Sequence, residues 1–281
     1  MRRLLLAVAL ALGAAPALAA PLGAVATITP LGFLLSELGG ERVSVHVLVP
    51  PGASPHAFEP RPTDLAAVSE AKLFVAAGAG IDDWVAQLAA GGGPAPLVLG
   101  PVVASVDPHF WLDPIAVRDR ALPALEAALA AADPAGRETF AAKRRAFADS
   151  LTALDAEIRS TLAGVARRPL VPTHPAWGAF AARYGLTLLA PVEHRAAEEP
   201  TPRTLARLAD AAKSAGAVAV LVEPQLPTAA ADALAETLGV PAVVADPDGD
   251  PRVPERGSYA ALLRFDAAAF RSALAGGGAA R

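Results

Sequence analysis

From Ile115 to Ala166 the sequence offers no strand candidate, whereas strand-like and helix-like runs alternate on both sides of it. That interruption is what most limits the fold. The stretch is rich in Ala, Leu, Arg and Glu, and breaks only near Asp133-Pro134-Ala135-Gly136. Its spacing predicts one helix over Arg137–Leu162, about 39 Å long at ~1.5 Å per residue. A helix of that length spans a small domain and can bridge two lobes.

Before the interruption, strands are expected at Ala24–Ile28, Arg42–Val49, Leu73–Ala76 and Leu97–Leu99, with helices at Pro30–Leu38, Thr63–Ala71 and Asp82–Leu88. After it, strands are expected at Pro169–Pro172, Leu186–Leu189, Val218–Val222 and Val240–Val244. Helices are expected there at Pro175–Tyr184, Pro202–Ser214, Ala229–Leu238 and Ser258–Leu274. Strand–helix alternation is the pattern of parallel sheets covered on both faces. The predicted fold class is therefore α/β, two parallel-sheet lobes joined by one long helix. The expected division is 1–19 leader, 20–128 N-terminal lobe, 129–166 linking helix region and 167–281 C-terminal lobe.

The leader reading rests on Met1-Arg2-Arg3, the apolar run Leu4 to Leu12 and the small-residue pattern Ala17-Leu18-Ala19. Together these have the form of a secretory signal peptide, too short for a membrane span. Removing Arg2 and Arg3 leaves 22 basic residues (24 − 2) against 28 acids, a net charge of −6. No basic patch stands out, which argues against nucleic acid as a partner. The chain has no cysteine, so thiolate ligands and a lipidated N-terminal cysteine are excluded. A soluble periplasmic monomer is the expectation, with release to the exterior as the competitor.

Three of the five histidines lie in proline-stiffened loops. His56 follows a strand in Gly52-Ala53-Ser54-Pro55-His56-Ala57-Phe58-Glu59-Pro60. His109 stands between two Asp-Pro steps in Asp107-Pro108-His109-Phe110-Trp111-Leu112-Asp113-Pro114. His174 directly follows a strand and precedes Pro175, where it is expected to cap a helix. Ligands in open α/β sheets bind beyond the carboxyl ends of strands. Two facing sheets would aim these loops into one cleft, and the expectation is that the three imidazoles meet around a metal ion.

Asp246, after the last strand, could complete a set of three histidines and one carboxylate, although it could equally be a turn former like Asp248 and Asp250. Glu223, ending the neighbouring strand, is the alternative, either as ligand or as a group that orients a histidine. His46 is expected to be structural, His194 to sit at an exposed rim, and Glu198-Glu199 to be solvated.

Four of these segments, Gly52 to Leu65, Asp107 to Pro114, Thr173 to Leu186 and Val222 to Gln225, together resemble the metal-binding subunits of bacterial zinc and manganese ABC importers. Gly78-Ala79-Gly80-Ile81-Asp82-Asp83-Trp84 is similar to a further segment of that family. The resemblance covers nearly the whole chain after the leader. It implies two α/β lobes on a rigid helix, a membrane permease as partner, and metal ligands at His56, His109, His174 and Asp246. Pro175 departs from the family pattern, where an Asp is common, and the His-rich loop of many zinc-specific relatives is missing. A histidine rather than a glutamate at position 174 favours zinc over manganese within the family, and three imidazoles suit Zn2+ better than hard, oxygen-preferring ions. Zinc is therefore the expected cargo, with Mn2+ or Fe2+ as alternatives.

Two other readings compete. One is a binder of a chelated metal or other small molecule on the same scaffold. The other is a secreted zinc hydrolase, disfavoured because the sequence has no His-Glu-x-x-His motif and only Glu59 lies close to a proposed ligand.

Overall fold

The structure is a computed structural model that describes residues 20–105, 107–193 and 200–275. The leader, His194 and Glu198-Glu199 lie outside the described residues. Among the described residues no helix is long and apolar enough to cross a membrane.

The N-terminal half runs β1 (Leu22–Ala26), α1 (Thr29–Gly39), β2 (Val43–Val47), α2 (Pro62–Glu70), β3 (Leu73–Ala76), α3 (Val85–Ala90), β4 (Leu97–Val98) and α4 (Leu99–Val103). Its strands form one parallel sheet in the order β2-β1-β3-β4. Val25, Ala26 and the whole of β3 are buried, as befits strands covered on both faces. The strand order reverses between β1 and β3, so the loop after β3 opens on a topological switch point, where such sheets bind ligands, and the loop after β2 lies one strand further along the same edge.

The strand-free middle is helical, as the sequence indicates. A short α5 (Pro114–Ala116) continues through a π-helical turn, Val117–Ala121, into α6 (Leu122–Ala132). Then α7 (Arg137–Thr161) runs 25 residues, about 37 Å at ~1.5 Å per residue. It buries Phe140, Phe147, Leu151, Leu154 and Ile158 along one stripe at helical spacing.

The C-terminal half runs β5 (Leu170–Pro172), α8 (Gly178–Tyr184), α9 (Pro202–Ala215), β6 (Ala219–Val222), α10 (Ala229–Leu238), β7 (Ala242–Val244) and α11 (Tyr259–Ala275). Its sheet is parallel in the order β5-β6-β7. The strand expected at Leu186–Leu189 is only a single bridge, Leu170 to Leu188. That run pairs at the open edge of the sheet for one residue and then leaves it.

One face of each sheet joins a shared core, while the other face packs a smaller cluster of its own, around Phe74 in the first half and Val220 in the second. One buried cluster runs from α1 through Phe147 and Leu151 of α7 to Tyr259 and Phe270 of α11 and on to Leu170 and Leu221. The long helix is thus the middle of the core and fixes how the two sheets face each other.

Candidate metal centre

Each of the three loop histidines sits just beyond its own sheet or helical segment. His56 lies in a 3-10 turn, Pro55–Ala57, after β2. The Trp84 indole N–H donates to the Pro55 carbonyl at 3.0 Å and fastens this loop to the segment after β3. The same segment supplies the Gly80 carbonyl, 3.1 Å from His56 Nδ1. A carbonyl only accepts, so Nδ1 carries the proton and Nε2 is left with a lone pair. Asp82 holds this segment in shape by accepting the Ala77 and Gly78 N–H groups at 2.7 Å each.

His109 precedes a 3-10 turn, Phe110–Leu112. Asp107 Oδ1 accepts the His109 backbone N–H at 2.8 Å and faces its Nδ1 at 3.1 Å. The other oxygen, Oδ2, accepts the Ala179 N–H at 2.9 Å. Asp107 therefore orients His109 and also serves the N-terminus of α8 in the opposite lobe.

His174 follows β5, and here an expectation needs correcting. The helix begins at Gly178 with Trp177 at its N-cap, not at Pro175 with His174 as cap. Ala176 N–H bonds back to the His174 carbonyl at 2.9 Å, closing a tight turn around Pro175 before the helix starts. The imidazole is thereby released from capping. Its Nδ1 lies 2.6 Å from Glu223 Oε2, at the end of β6. The contact is short but out of line for a formed hydrogen bond, and both atoms lack any other partner. It acts as a close charge contact that holds the ring. Glu223 Oε1 accepts from the Trp177 indole at 3.3 Å.

The result is convergence. Ring centroids are 5.8 Å apart for His56 and His109, 5.7 Å for His56 and His174, and 5.3 Å for His109 and His174. One ligand atom from each lies within 4.8 Å of the others. With every Nδ1 engaged by a carbonyl or carboxylate, the three Nε2 atoms are the nitrogens on offer. This is the outer-shell arrangement that fixes ring orientation at metal sites. A tetrahedral ion with bonds of ~2.0–2.1 Å needs its nitrogens about 3.4 Å apart, so the rings have at most roughly 1.5 Å to close. Between the rings, Glu223 and Asp248 lies a cavity of about 10 Å³, roughly the room of one water-sized body. Outside it opens a cleft of about 1130 Å³, shared by the same rings and bordered by Asp83, Asp107 and Asp113.

Burial shapes the charge states. His109 is 4% exposed and His174 5%, while His56 is the most open of the three. Desolvation, aided by the other two rings as like charges, lowers His56 from 6.5 to about 4. Desolvation also lowers His109, against the pull of Asp107. Burial pulls His174 down too, but the close negative charge of Glu223, helped by Asp248 and Glu193, outweighs it and the net shift is upward. Asp248 keeps part of its surface open, yet its carboxyl is enclosed. Burial and the neighbouring Asp246 and Glu223 push it up to about 8.

Asp246 is placed differently from the three histidines. It is 1% exposed and its carboxylate is filled. Oδ1 accepts from Gln225 at 2.6 Å, the Asp248 N–H at 3.0 Å and the Gly249 N–H at 2.9 Å, and Oδ2 pairs with Arg256 at 2.7 Å. It does not belong to the group whose ligand atoms meet. His46 is exposed on the edge strand β2 and away from the cluster. Gly80, Trp84 and Asp107 act on the site without having been singled out from sequence. Gly80 and Trp84 lie in the family-like segment Gly78–Trp84, and Asp107 left a local signal of its own, an Asx-Pro-x spacing suited to bonding the backbone two residues on.

Comparison with known proteins gives concordant relatives. The family described as zinc-uptake complex component A, periplasmic, matches residues 24–273. The manganese-binding lipoprotein MntA of Halalkalibacterium halodurans is 30% identical over 210 residues, covering 71% of this chain and 70% of its own length. The high-affinity zinc uptake system protein ZnuA of Paracoccus denitrificans is 26% identical over 311 residues, covering 93% and 94%. Among solved structures, a crystal structure of ZnuA superposes with a TM-score of 0.81 at 28% identity, over 90% of this chain and 98% of that one.

Proposed function

This chain belongs to the family of periplasmic zinc-uptake complex components, and we propose that it captures a single bare divalent cation, zinc in the first place, for an ABC importer. It is a metal-binding solute-binding protein rather than an enzyme, as its relatives are. Capture takes place between the lobes, which we divide as 20–128 and 167–281 about the helix region 129–166. His56 and His109 come from the first lobe and His174 from the second, and their Nε2 atoms bind the ion. Gly80, Asp107 and Glu223 hold the opposite ring nitrogens. We place the protein in the periplasm as a soluble monomer freed of its leader, and a membrane permease receives the ion.

One observation carries this reading. Three imidazoles converge on a cavity with room for one water-sized body, each with its other nitrogen already engaged. That room suits a bare ion. A chelated metal would have to occupy the outer cleft and leave the rings uncoordinated, and Asp83, Asp107 and Asp113 there disfavour an anionic chelate. Three nitrogens with little room for extra oxygen ligands favour zinc over manganese.

The test is competitive titration of chelator-stripped protein with zinc and manganese, repeated on His56→Ala, His109→Ala and His174→Ala. One tight equivalent of zinc, lost or greatly weakened in each variant, is expected. Tighter retention of manganese or iron reverses the choice of metal. Binding indifferent to all three substitutions refutes the site.

A further inference from the structure

We propose that Asp83 steers the incoming cation: its carboxylate keeps the mouth of the outer cleft negative and draws the ion toward His56, the most open of the three rings. Asp83 acts on the rate of capture and is not one of the groups that hold the bound ion. This inference rests on the metal-capture reading above.

The outer cleft carries three acids, and their surroundings differ in kind. Asp107 is committed to the His109 ring and to the Ala179 N–H. Asp113 accepts the Ile115 and Ala116 N–H groups and stands 3.7 Å from the Arg183 guanidinium, which offsets its charge. Asp83 borders the same cleft and is exposed, and no cation or N–H donor among the described residues meets its carboxylate. The lining holds no lysine or arginine among the described residues, and its walls are largely alanine and proline, such as Ala79, Ala116, Pro108 and Pro175. Low-dielectric walls around one sign of charge concentrate the field and raise the local level of counter-ions. The charge of Asp83 is felt at the ring. Burial and the other two histidines lower His56, and Asp83 joins the Gly80 carbonyl in opposing them. A cation beside His56 is favoured by Asp83 in the same way.

The backbone explains why this acid faces the cleft. Gly78, Ala79 and Gly80 all take positive φ, 76°, 55° and 89°, and turn the chain sharply after β3. Asp82 is buried and fixes the turn by accepting the Ala77 and Gly78 N–H groups. On the other side, Trp84 is tied to the His56 loop through its indole N–H. Asp83 therefore lies between an acid that points inward and an indole that reaches across to Pro55. Its backbone is held on both sides, and its side chain is left at the cleft. The two adjacent acids have separate roles. Asp82 shapes the turn that gives His56 its Gly80 carbonyl, and Asp83 supplies charge at the entrance.

The experiment uses the whole chain after the leader, stripped of metal, with Zn2+ as the probe. Association is followed by stopped flow against a fluorescent zinc indicator, and dissociation by trapping released zinc with excess chelator. The proteins are wild type, Asp83→Asn, Asp83→Glu and Asp83→Lys, with Asp210→Asn removing the same charge from an exposed position of α9 outside the cleft. At an ionic strength of ~0.01 M, where charges act over ~30 Å, Asp83→Asn should associate about three- to fivefold more slowly and Asp83→Lys about tenfold or more. Asp83→Glu and Asp210→Asn should stay within about 1.5-fold of wild type. At ~1 M, screening to ~3 Å should bring all five proteins within about 1.5-fold of one another. Dissociation should stay within about twofold throughout, since a rim charge acts on association whereas a group holding the bound ion acts on release. Unchanged association in Asp83→Asn at low salt, a loss that survives ~1 M salt, an equal loss in Asp210→Asn, or an effect carried by dissociation overturns the inference and leaves the three-histidine site standing. A wild type that takes up no stoichiometric zinc overturns both.

Discussion

Gly178 is the position where one added methyl group should separate metal binding from stability. It is the first residue of α8, and a Cβ built there overlaps the Asp107 carboxylate, which has come across from the other lobe. In Gly178→Ala the carboxylate must rotate or the loop must retreat. Two functions of Asp107 are then disturbed together, its 2.9 Å bond from Ala179 N–H and its hold on His109. Loss of the charge-assisted bond to the helix end costs about 1–2 kcal/mol, less than a fully buried case because Asp107 is half-buried. The better helix propensity of alanine returns up to about 1 kcal/mol. Net stability should therefore fall by about 2 kcal/mol or less. Metal affinity has no such compensation, because among the described residues Asp107 is the only hydrogen-bond partner of the His109 ring. Disturbing an outer-shell partner typically costs 10–100-fold, or about 1.4–2.8 kcal/mol. The assay is zinc competition against a chromophoric chelator, with thermal melts of the metal-free protein alongside. Zinc affinity within about threefold of wild type would refute the claim that Asp107 orients His109. Adding Asp107→Asn closes a double-mutant cycle, and the two effects should fall well short of additive because both act through one carboxylate.

Three further outcomes are expected. Tyr259→Phe removes the buried hydroxyl that donates to the Trp111 carbonyl at 2.6 Å, which should cost about 1–1.5 kcal/mol and lower Tm by roughly 2–6 °C; an unchanged melt would show that the bond contributes nothing. In metal-free protein the folded state holds His56 near 4 against 6.5 when unfolded, so this residue's contribution is intact above about 6.5 and is lost as pH falls toward 4. His56→Gln should therefore gain stability relative to wild type across that window, read from urea midpoints at pH 7.5 and 5, and a difference that ignores pH would contradict the assignment. Stripping zinc with a chelator should leave the distance between spin labels on α2 and α10 almost unchanged, and a lobe rotation of several tens of degrees would count against the rigid-helix reading.

The overall fold was legible because its signals are local. Apolar runs of four to five residues mark β1, β3 and β6, and a 25-residue stretch with helical spacing and no Pro or Gly marks α7. Even so, α4 was missed because Leu99–Val103 reads as the end of a strand and contains Gly100 and Pro101. The His56, His109 and His174 loops were legible one by one, since each combines proline stiffening with a strand or helix boundary. What the sequence could not reveal is long-range. The reach of Asp107 to Ala179 spans 72 residues and the bond from Trp111 to Pro247 spans 136. The difference between Asp246 and Asp248 is of the same kind. Both are turn-forming acids by sequence, and only the arrival of Arg256 and Gln225 occupies one and leaves the other free.

These long-range contacts bear on how an ion can leave. Besides the shared core, the lobes are tied by Asp107 to Ala179, by Trp111 to Pro247, by Tyr259 to Trp111, and by Arg183. Arg183 of α8 pairs with Asp155 of the long helix at 2.8 Å and stands 3.7 Å from Asp113. At about 0.5–1.5 kcal/mol for an ordinary hydrogen bond and more for charged ones, rigid opening would forfeit roughly 3–7 kcal/mol before any buried apolar surface is counted. An open state would then be populated at about one part in a hundred or less. Local movement costs less. His56 is the most exposed of the three proposed ligands, and its ring is held by one carbonyl 3.1 Å away on a glycine-rich turn. Freeing that ring removes one of three nitrogens and opens the cavity toward the outer cleft, without disturbing any interlobe tie. The geometry therefore favours exit past His56, with His109 and His174 staying in place on the core.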